Sequence, residues 1–203
     1  MIIRPMEARD YAACESAARE AFWNVYRPGC VEHLIVRRLE SAPEAEARLF
    51  FVAEDGGAAV GCVMGAKGLL TWPCGSVTEH LCAGPLAVLP AYQKRGVGAA
   101  LMERFLAEAP KLGYESVVLT GSPGYYSRFG FVPAARHGIF LRGHSPAEDL
   151  PYFMAKELTD EQKPWYGGFY EDPAVYAVTT EEADAFDAAF PPKVKEKLPG
   201  QLF

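Results

Sequence analysis

Pro90–Leu101, PAYQKRGVGAAL, opens a helix with two glycines, Gly96 and Gly98, one residue apart, directly after a Gln-Lys-Arg run. Each glycine inside a helix costs about 1 kcal/mol relative to alanine, so something other than helix stability favours them. The apolar run before it, Leu86–Leu89, reads as the end of a strand, and the layout is strand, loop, helix. A helix's first turn leaves backbone N–H groups unpaired and carries the positive end of the dipole, which makes it an anion site. Glycines at 96 and 98 remove side chains that would hold a bulky phosphate away, and Lys94 and Arg95 add positive charge beside it. The competing explanation is that the glycines only let the helix pack tightly on a sheet, with Lys94 and Arg95 forming a solvated corner.

Spelling separates the phosphate-binding alternatives. A P-loop requires G-x-x-x-x-G-K-[ST], which the chain lacks. The dinucleotide fingerprint requires a third Gly or Ala where Leu101 stands, and an acid at the end of the next strand, where Thr120 lies.

The rest of the chain sets the context. With 203 residues, half of them hydrophobic, it can bury a full core. A formal net charge of -6 argues against a broad nucleic-acid surface, which needs a basic face; a cationic or neutral small partner fits better. The five cysteines are odd in number and form no C-x-x-C, so they read as small buried hydrophobes in a reduced compartment. The N-terminal MIIRPMEARD has no apolar signal core, and no apolar run approaches the ~18 residues of a membrane helix, so no membrane partner and a cytoplasmic location are expected.

Periodicity predicts a strand at MIIRP, a helix through Tyr11, Cys14, Ala18 and Phe22, and a second helix with Val31, Leu34, Ile35 and Leu39 on one face. A hairpin turns at Asp55-Gly56-Gly57. After a loop with Trp72 and Pro73 comes the long strand SVTEHLCAGPLAVLP, which Gly84 and Pro85 should distort in its middle. The glycine-opened helix runs to Pro110, YESVVLT is a buried strand, GSPGYYSRFGF a turn and short helix stopped by Gly130, and LPYFMAKEL the last strand. From about Thr159 the composition shifts to aromatics, Pro and Gly, with a strand expected at VYAV (175–178) and a capping box of Thr179 and Glu182 opening a helix with Phe186 and Phe190 on one side. Residues 159–203 therefore read as an extension packed on the domain formed by 1–158, or on a second subunit in a homodimer, because its aromatics are too many for a solvated linker.

Q-x-x-G-x-G at Gln93, Gly96 and Gly98, following LAVLP, resembles the acetyl-CoA pyrophosphate motif of the GNAT superfamily of N-acetyltransferases. YYSRFGF, one helix and one strand later, resembles the same family's aromatic-x-Arg-Phe-Gly-Phe element, and the resemblance covers roughly residues 1–158. It implies an α/β (α+β) fold: a mixed, mostly antiparallel central sheet flanked by helices, with the fourth and fifth strands splayed apart. It further implies acetyl-CoA as cosubstrate, with pantetheine held by the main chain of Leu86, Ala87 and Val88 and pyrophosphate held by Gln93, Lys94, Arg95, Gly96, Val97, Gly98 and Ala99.

By the same resemblance Tyr126 stands where similar enzymes carry a tyrosine near the thioester sulfur, with Tyr125 its neighbour. A phenol stays protonated near neutral pH and can protonate a departing thiolate. The glutamate many relatives carry eleven residues before the motif glutamine is Cys82 here; Glu79 and His80 lie slightly upstream and are the candidates for removing the ammonium proton through water. His33 and His137 read as structural, and no metal is expected. The expected reaction is direct acetyl transfer to a small-molecule or peptide amine in a ternary complex; the alternative is a non-catalytic acyl-CoA-binding or sensing module of the same fold. Tyr26, Trp72 and Trp165 are candidates for an apolar or cation-binding wall.

Overall fold

A computed structural model describes residues 1–159 and 167–201. Trp165 and Tyr166, among the aromatics noted above, lie outside the described residues. In chain order the elements are β1 (Ile2–Pro5), α1 (Tyr11–Phe22), α2 (Glu32–Leu39), β2 (Phe51–Asp55), β3 (Ala58–Thr71), β4 (Val77–Val88), α3 (Val97–Glu108), β5 (Ser116–Thr120) and α4 (Pro123–Tyr126), followed by β6 (Val132–Pro133), β7 (Ile139–Leu141), β8 (Phe153–Glu157), β9 (Gly168–Glu171) and α5 (Thr180–Asp187).

The strands form one sheet in the order β1-β2-β3-β4-β5-β8-β6, antiparallel along this path except for the parallel pair β4–β5. β9 pairs antiparallel with the far half of β3 and parallel with β7. The period of two splits the strands between two layers. Phe51, Ala53, Val63 and Leu81 face α3, whose Val97, Leu101, Met102 and Phe105 are buried against them. Val52, Cys62, Met64 and Ala87 face the opposite way onto Cys14 and Ala18 of α1 and Ile35, Val36 and Leu39 of α2. This is the mixed, mostly antiparallel, helix-flanked sheet that the sequence predicts. Four of the five cysteines are buried, and all five are free.

VYAV is not a strand. Pro173 fixes the backbone ahead of it, and Ala174–Tyr176 closes a 3-10 turn that buries Val175. The strand of this region lies just upstream, in Gly168–Glu171, where Tyr170 is fully buried opposite Leu70. The short β6 and β7 also escape the sequence reading, because two or three residues are too few to show a period. The capping box is present: the Thr179 hydroxyl accepts from the Glu182 N–H at 3.2 Å, and the Glu182 carboxylate accepts from the Thr179 N–H at 2.9 Å. Phe186 and Phe190 enclose the ring of the buried His33, at centroid distances of 5.2 and 5.4 Å. Arg19 of α1 bonds the Asp187 carboxylate and, at 2.8 Å, the Pro191 carbonyl. No helix among the described residues is long and apolar enough to cross a membrane.

Candidate active site

β4 runs alongside β3 to its end but pairs with β5 at two positions only, Leu81 with Val117 and Cys82 with Val118. From Val63↔Leu86 to Gly65↔Ala83, β3 advances two residues while β4 advances three, so β4 bulges at Gly84-Pro85, where the peptide bond is cis. Proline has no N–H for a ladder, and bulges are where sheets accommodate it. Past this bulge β4 leaves β5, and one edge of its last residues opens onto a gap.

The Leu89 N–H donates to the Val60 carbonyl at 2.9 Å, which fixes which residues address the gap. Because amide direction alternates along an antiparallel ladder, Ala87 turns its amides toward β3 while Leu86 and Val88 turn theirs into the gap. The Val88 carbonyl accepts the Gln93 side-chain amide at 3.0 Å, leaving the Val88 N–H and both groups of Leu86 directed there.

The loop after β4 explains the glycine pair, and each glycine has its own reason. Gly96 is the N-cap of α3 at φ 82°, and a Cβ there would stand in open space, so glycine serves the left-handed backbone. Lys94, two residues earlier, is also left-handed at φ 59°. Gly98 has the opposite requirement: a Cβ would stand 2.6 Å from the Tyr125 hydroxyl, so glycine lets that tyrosine settle on the first turn of the helix. No side chain caps α3, so its first N–H groups face outward uncapped, beside the exposed Lys94 and Arg95. Val97 is buried in the core and Ala99 half-buried. Gln93 braces the turn, with its N–H on the Pro90 carbonyl at 3.3 Å and its side chain on Val88.

α4 starts with Pro123 in its first turn and passes through a further 3-10 turn to Gly130 at φ 85°. It sets Tyr126 edge-on to Tyr125 and Phe131, at 4.9 and 5.9 Å. Arg128 stacks on Tyr125, 4.8 Å from its ring centre. Burial pushes the Tyr126 phenol well above its ordinary pKa, and Tyr26, Tyr125 and Cys82 add to the shift. Tyr126 therefore stays a proton donor throughout the neutral range.

Glu79 is exposed and paired with Lys67 at 3.1 Å. His80 is buried in the sheet, 3.0 Å from the Ser116 hydroxyl, and burial pushes it down to about 4 against the opposing pull of Glu115. Trp72 closes the β3–β4 hairpin, its ring N–H on the Thr78 hydroxyl at 3.0 Å. Tyr26 lies half-buried between α1 and α2, its pKa raised by burial and by Glu32.

The C-terminal segment brings further groups that motif reading misses. Tyr176 donates its hydroxyl to the Gly84 carbonyl at 2.5 Å, directly on the bulge. Burial pushes the Cys82 thiol up to about 12, Asp172 reinforces that shift, and hydrogen bonds with Tyr170 and Tyr176 oppose it. The only sequence signal was the density of aromatic and acidic residues in GFYEDPAVY, which has no spacing rule.

Comparison with known proteins agrees with this geometry. The acetyltransferase (GNAT) domain family matches residues 46–133. The uncharacterised N-acetyltransferase YjhQ of Escherichia coli is 33% identical over 126 residues, covering 62% of this chain and 69% of that protein. Among solved structures, the Escherichia coli GNAT family N-acetyltransferase YhbS in complex with CoA superposes with a TM-score of 0.73 at 26% identity, covering 86% of this chain and 91% of that one. A GNAT family acetyltransferase from Brucella melitensis in complex with acetyl-CoA superposes with a TM-score of 0.67 at 27% identity, covering 86% and 97%. A splayed sheet, a glycine-opened helix and this degree of sequence identity lead to one conclusion: the chain belongs to the GNAT family of N-acetyltransferases.

Proposed function

We propose that this protein transfers the acetyl group of acetyl-CoA directly to a primary amine within a ternary complex. The observation that supports the reading is the gap where β4 leaves β5, faced by the N–H of Val88 and the amide groups of Leu86, while the role of Tyr126 rests on its place in the YYSRFGF element and on a phenol that burial keeps protonated. Two similar structures hold CoA or acetyl-CoA, and this chain offers matching chemistry. An extended pantetheine can pair with Leu86 and Val88 as an added strand would, and Ala87 contributes by fixing their direction. The uncapped first turn of α3, from Gly96 through Ala99, receives pyrophosphate, with Lys94 and Arg95 supplying charge and Gln93 holding the loop in place.

In the reaction the Val88 N–H polarises the thioester carbonyl, the amine attacks, the C–N bond forms and the C–S bond breaks. Tyr126 gives its proton to the departing thiolate. Positioning two reactants in one cleft supplies much of the acceleration. Glu79 and His80 have partners of their own, so any proton they take from the acceptor travels through water. Residues 1–158 form the catalytic domain in this reading, and the extension from 159 closes the acceptor side.

Release of free coenzyme A thiol over a panel of primary amines tests the reading, with calorimetry of acetyl-CoA binding beside it. Micromolar binding together with amine-dependent thiol release is the expected result. Binding without turnover on any amine would instead indicate a non-catalytic acyl-CoA sensor. Gly96→Asp sets a carboxylate in the phosphate position, at the cost of some left-handed backbone strain, and should weaken CoA binding at least about tenfold.

A further inference from the structure

For acetyl transfer as proposed, the amides of Leu86 and Val88 must stay aimed into the gap. Amide direction alternates along a strand, so a slip of one residue in β4 would turn Ala87 there instead. The bulge sets that register, because β4 has one residue more than β3 between Ala83 and Leu86. The sheet itself restrains the bulge poorly. Neither Gly84 nor Pro85 has a register partner on β3 or β5, Pro85 lacks an N–H, and glycine has the most permissive backbone of any residue.

The bulge is also open. Gly84, Pro85 and Leu86 are half-buried although they lie in the middle of a central strand, while Ala83 and Ala87 on either side are buried. Beyond its chain neighbours, a Cβ at Gly84 would meet one atom of the described residues within 4 Å, the Tyr176 hydroxyl oxygen at 4.0 Å. That hydroxyl donates to the Gly84 carbonyl at 2.5 Å. The turn carrying it is firmly held. The Tyr176 N–H donates to the Pro173 carbonyl at 2.9 Å, Val175 before it is buried, and the Ala177 carbonyl after it accepts from the Arg38 guanidinium at 3.1 Å. Arg38 also pairs with Glu182 at 2.6 Å, which ties the turn to both α2 and α5. The Tyr176 ring packs against the cluster under α1 and α2 and against the one containing Cys82, Val118 and Phe153. Burial raises its phenol well above the ordinary pKa, so it remains a donor throughout the neutral range.

We propose that Tyr176 is a positioning residue of the transferase site: by holding the Gly84 carbonyl it fixes the β4 bulge, and with it the register that presents the Leu86 and Val88 amides to acetyl-CoA. This role rests on the proposed acetyl transfer and makes the C-terminal extension a contributor to it without contact with the reacting atoms. The hydroxyl stands in for the ladder partner that the bulge denies this carbonyl.

Tyr176→Phe in the full chain keeps the ring and removes the hydroxyl. Tyr170→Phe is its control, because that buried hydroxyl bonds no main-chain carbonyl among the described residues. Two probes separate the parts of the site. CoA engages both strand and loop, whereas 3′-phospho-ADP, which has the phosphates but no pantetheine, engages only the loop from Gln93 to Ala99. By calorimetry Tyr176→Phe should weaken CoA binding about 3- to 10-fold, the effect of losing one neutral hydrogen bond, and should leave 3′-phospho-ADP within about twofold. In steady-state kinetics kcat should fall by a similar factor, because the Val88 N–H is then less well aimed at the thioester carbonyl. Tyr170→Phe should leave both affinities and kcat within about twofold. Equal weakening of the two probes, which a general loosening of the fold would produce, would overturn the role of Tyr176. Unchanged CoA affinity, or the same losses in Tyr170→Phe, would overturn it as well. Unmodified protein that binds neither probe, or that binds CoA and releases no thiol with any amine, would overturn the reading of the whole site instead.

Discussion

Gly98 and Tyr125 are the smallest unit in which this site can be tested. Alanine at 98 would place its Cβ 2.6 Å from the Tyr125 hydroxyl and 3.7 Å from the ring carbon bearing it. Gly98→Ala alone should therefore cost about 1–3 kcal/mol as overpacking. In a Tyr125→Phe background the contact becomes ordinary, and the alanine should be neutral or stabilising through helix propensity. Chemical denaturation of the four proteins of this cycle measures the coupling, and additive effects would show that Gly98 is not a packing glycine. Tyr126 is tested by function: Tyr126→Phe should lower kcat about 100-fold or more with little change in acetyl-CoA binding, because a donor to the leaving thiolate matters mainly in the transition state. Tyr125→Phe should be milder in steady-state kinetics, and the reverse order would reassign the acid.

Among the elements, β9 carries the most consequence for its size. β2 pairs with β3 only as far as Val63, and β9 covers Leu69, Leu70 and Thr71 on that edge. A chain ended after Leu158 would bare a long edge around a Leu70 that is now fully buried, and exposed edges template association. Size-exclusion chromatography should show it aggregated or self-associated; a monomer of full thermal stability would make the extension dispensable. Tyr176→Phe should cost about 1–2 kcal/mol, the worth of a hydrogen bond to a carbonyl that a bulge leaves without another ladder partner. What was readable beforehand follows the same division. The helices, the long strands, the bulge at Gly84-Pro85 and the loop from Gln93 to Ala99 are visible because period, proline and glycine leave local marks. β6 and β7 are too short for a period, and β9 was displaced by the more strand-like VYAV, which Pro173 diverts into a turn. The roles of Gly96 and Gly98 could be separated only once Tyr125 was in place, since nothing local reveals a contact from 27 residues away. Tyr176 carries no motif at all, and its interest comes from folding back onto β4.

For the molecule as a whole, two buried histidines contribute to the acid response. His33, enclosed by Phe186 and Phe190, and His80, beside Ser116, are both pushed down by burial to about 4 from an ordinary 6.5. For His33 the attraction of Asp187 opposes that shift, while Arg19 and Lys195 reinforce it. The unfolded chain takes up protons first, so stability is full above pH about 6.5 and falls as pH drops toward 4, by at most about 3 kcal/mol for each histidine. Equilibrium unfolding from pH 7.5 to 4 should show this slope, and His33→Gln should flatten it; an unchanged slope would remove His33 as a contributor. Arg19 and Asp187 meet across 168 positions of sequence, and Tyr176 and Gly84 across 92. Such distances set a timetable during synthesis. As the chain leaves the ribosome, strands β1 to β8 can assemble before the segment bearing Tyr170 and Tyr176 exists, with the edge of β3 unguarded in the interval. Closure of that last segment over the sheet is then the event that ends the nascent chain's exposure to neighbouring chains on the same message.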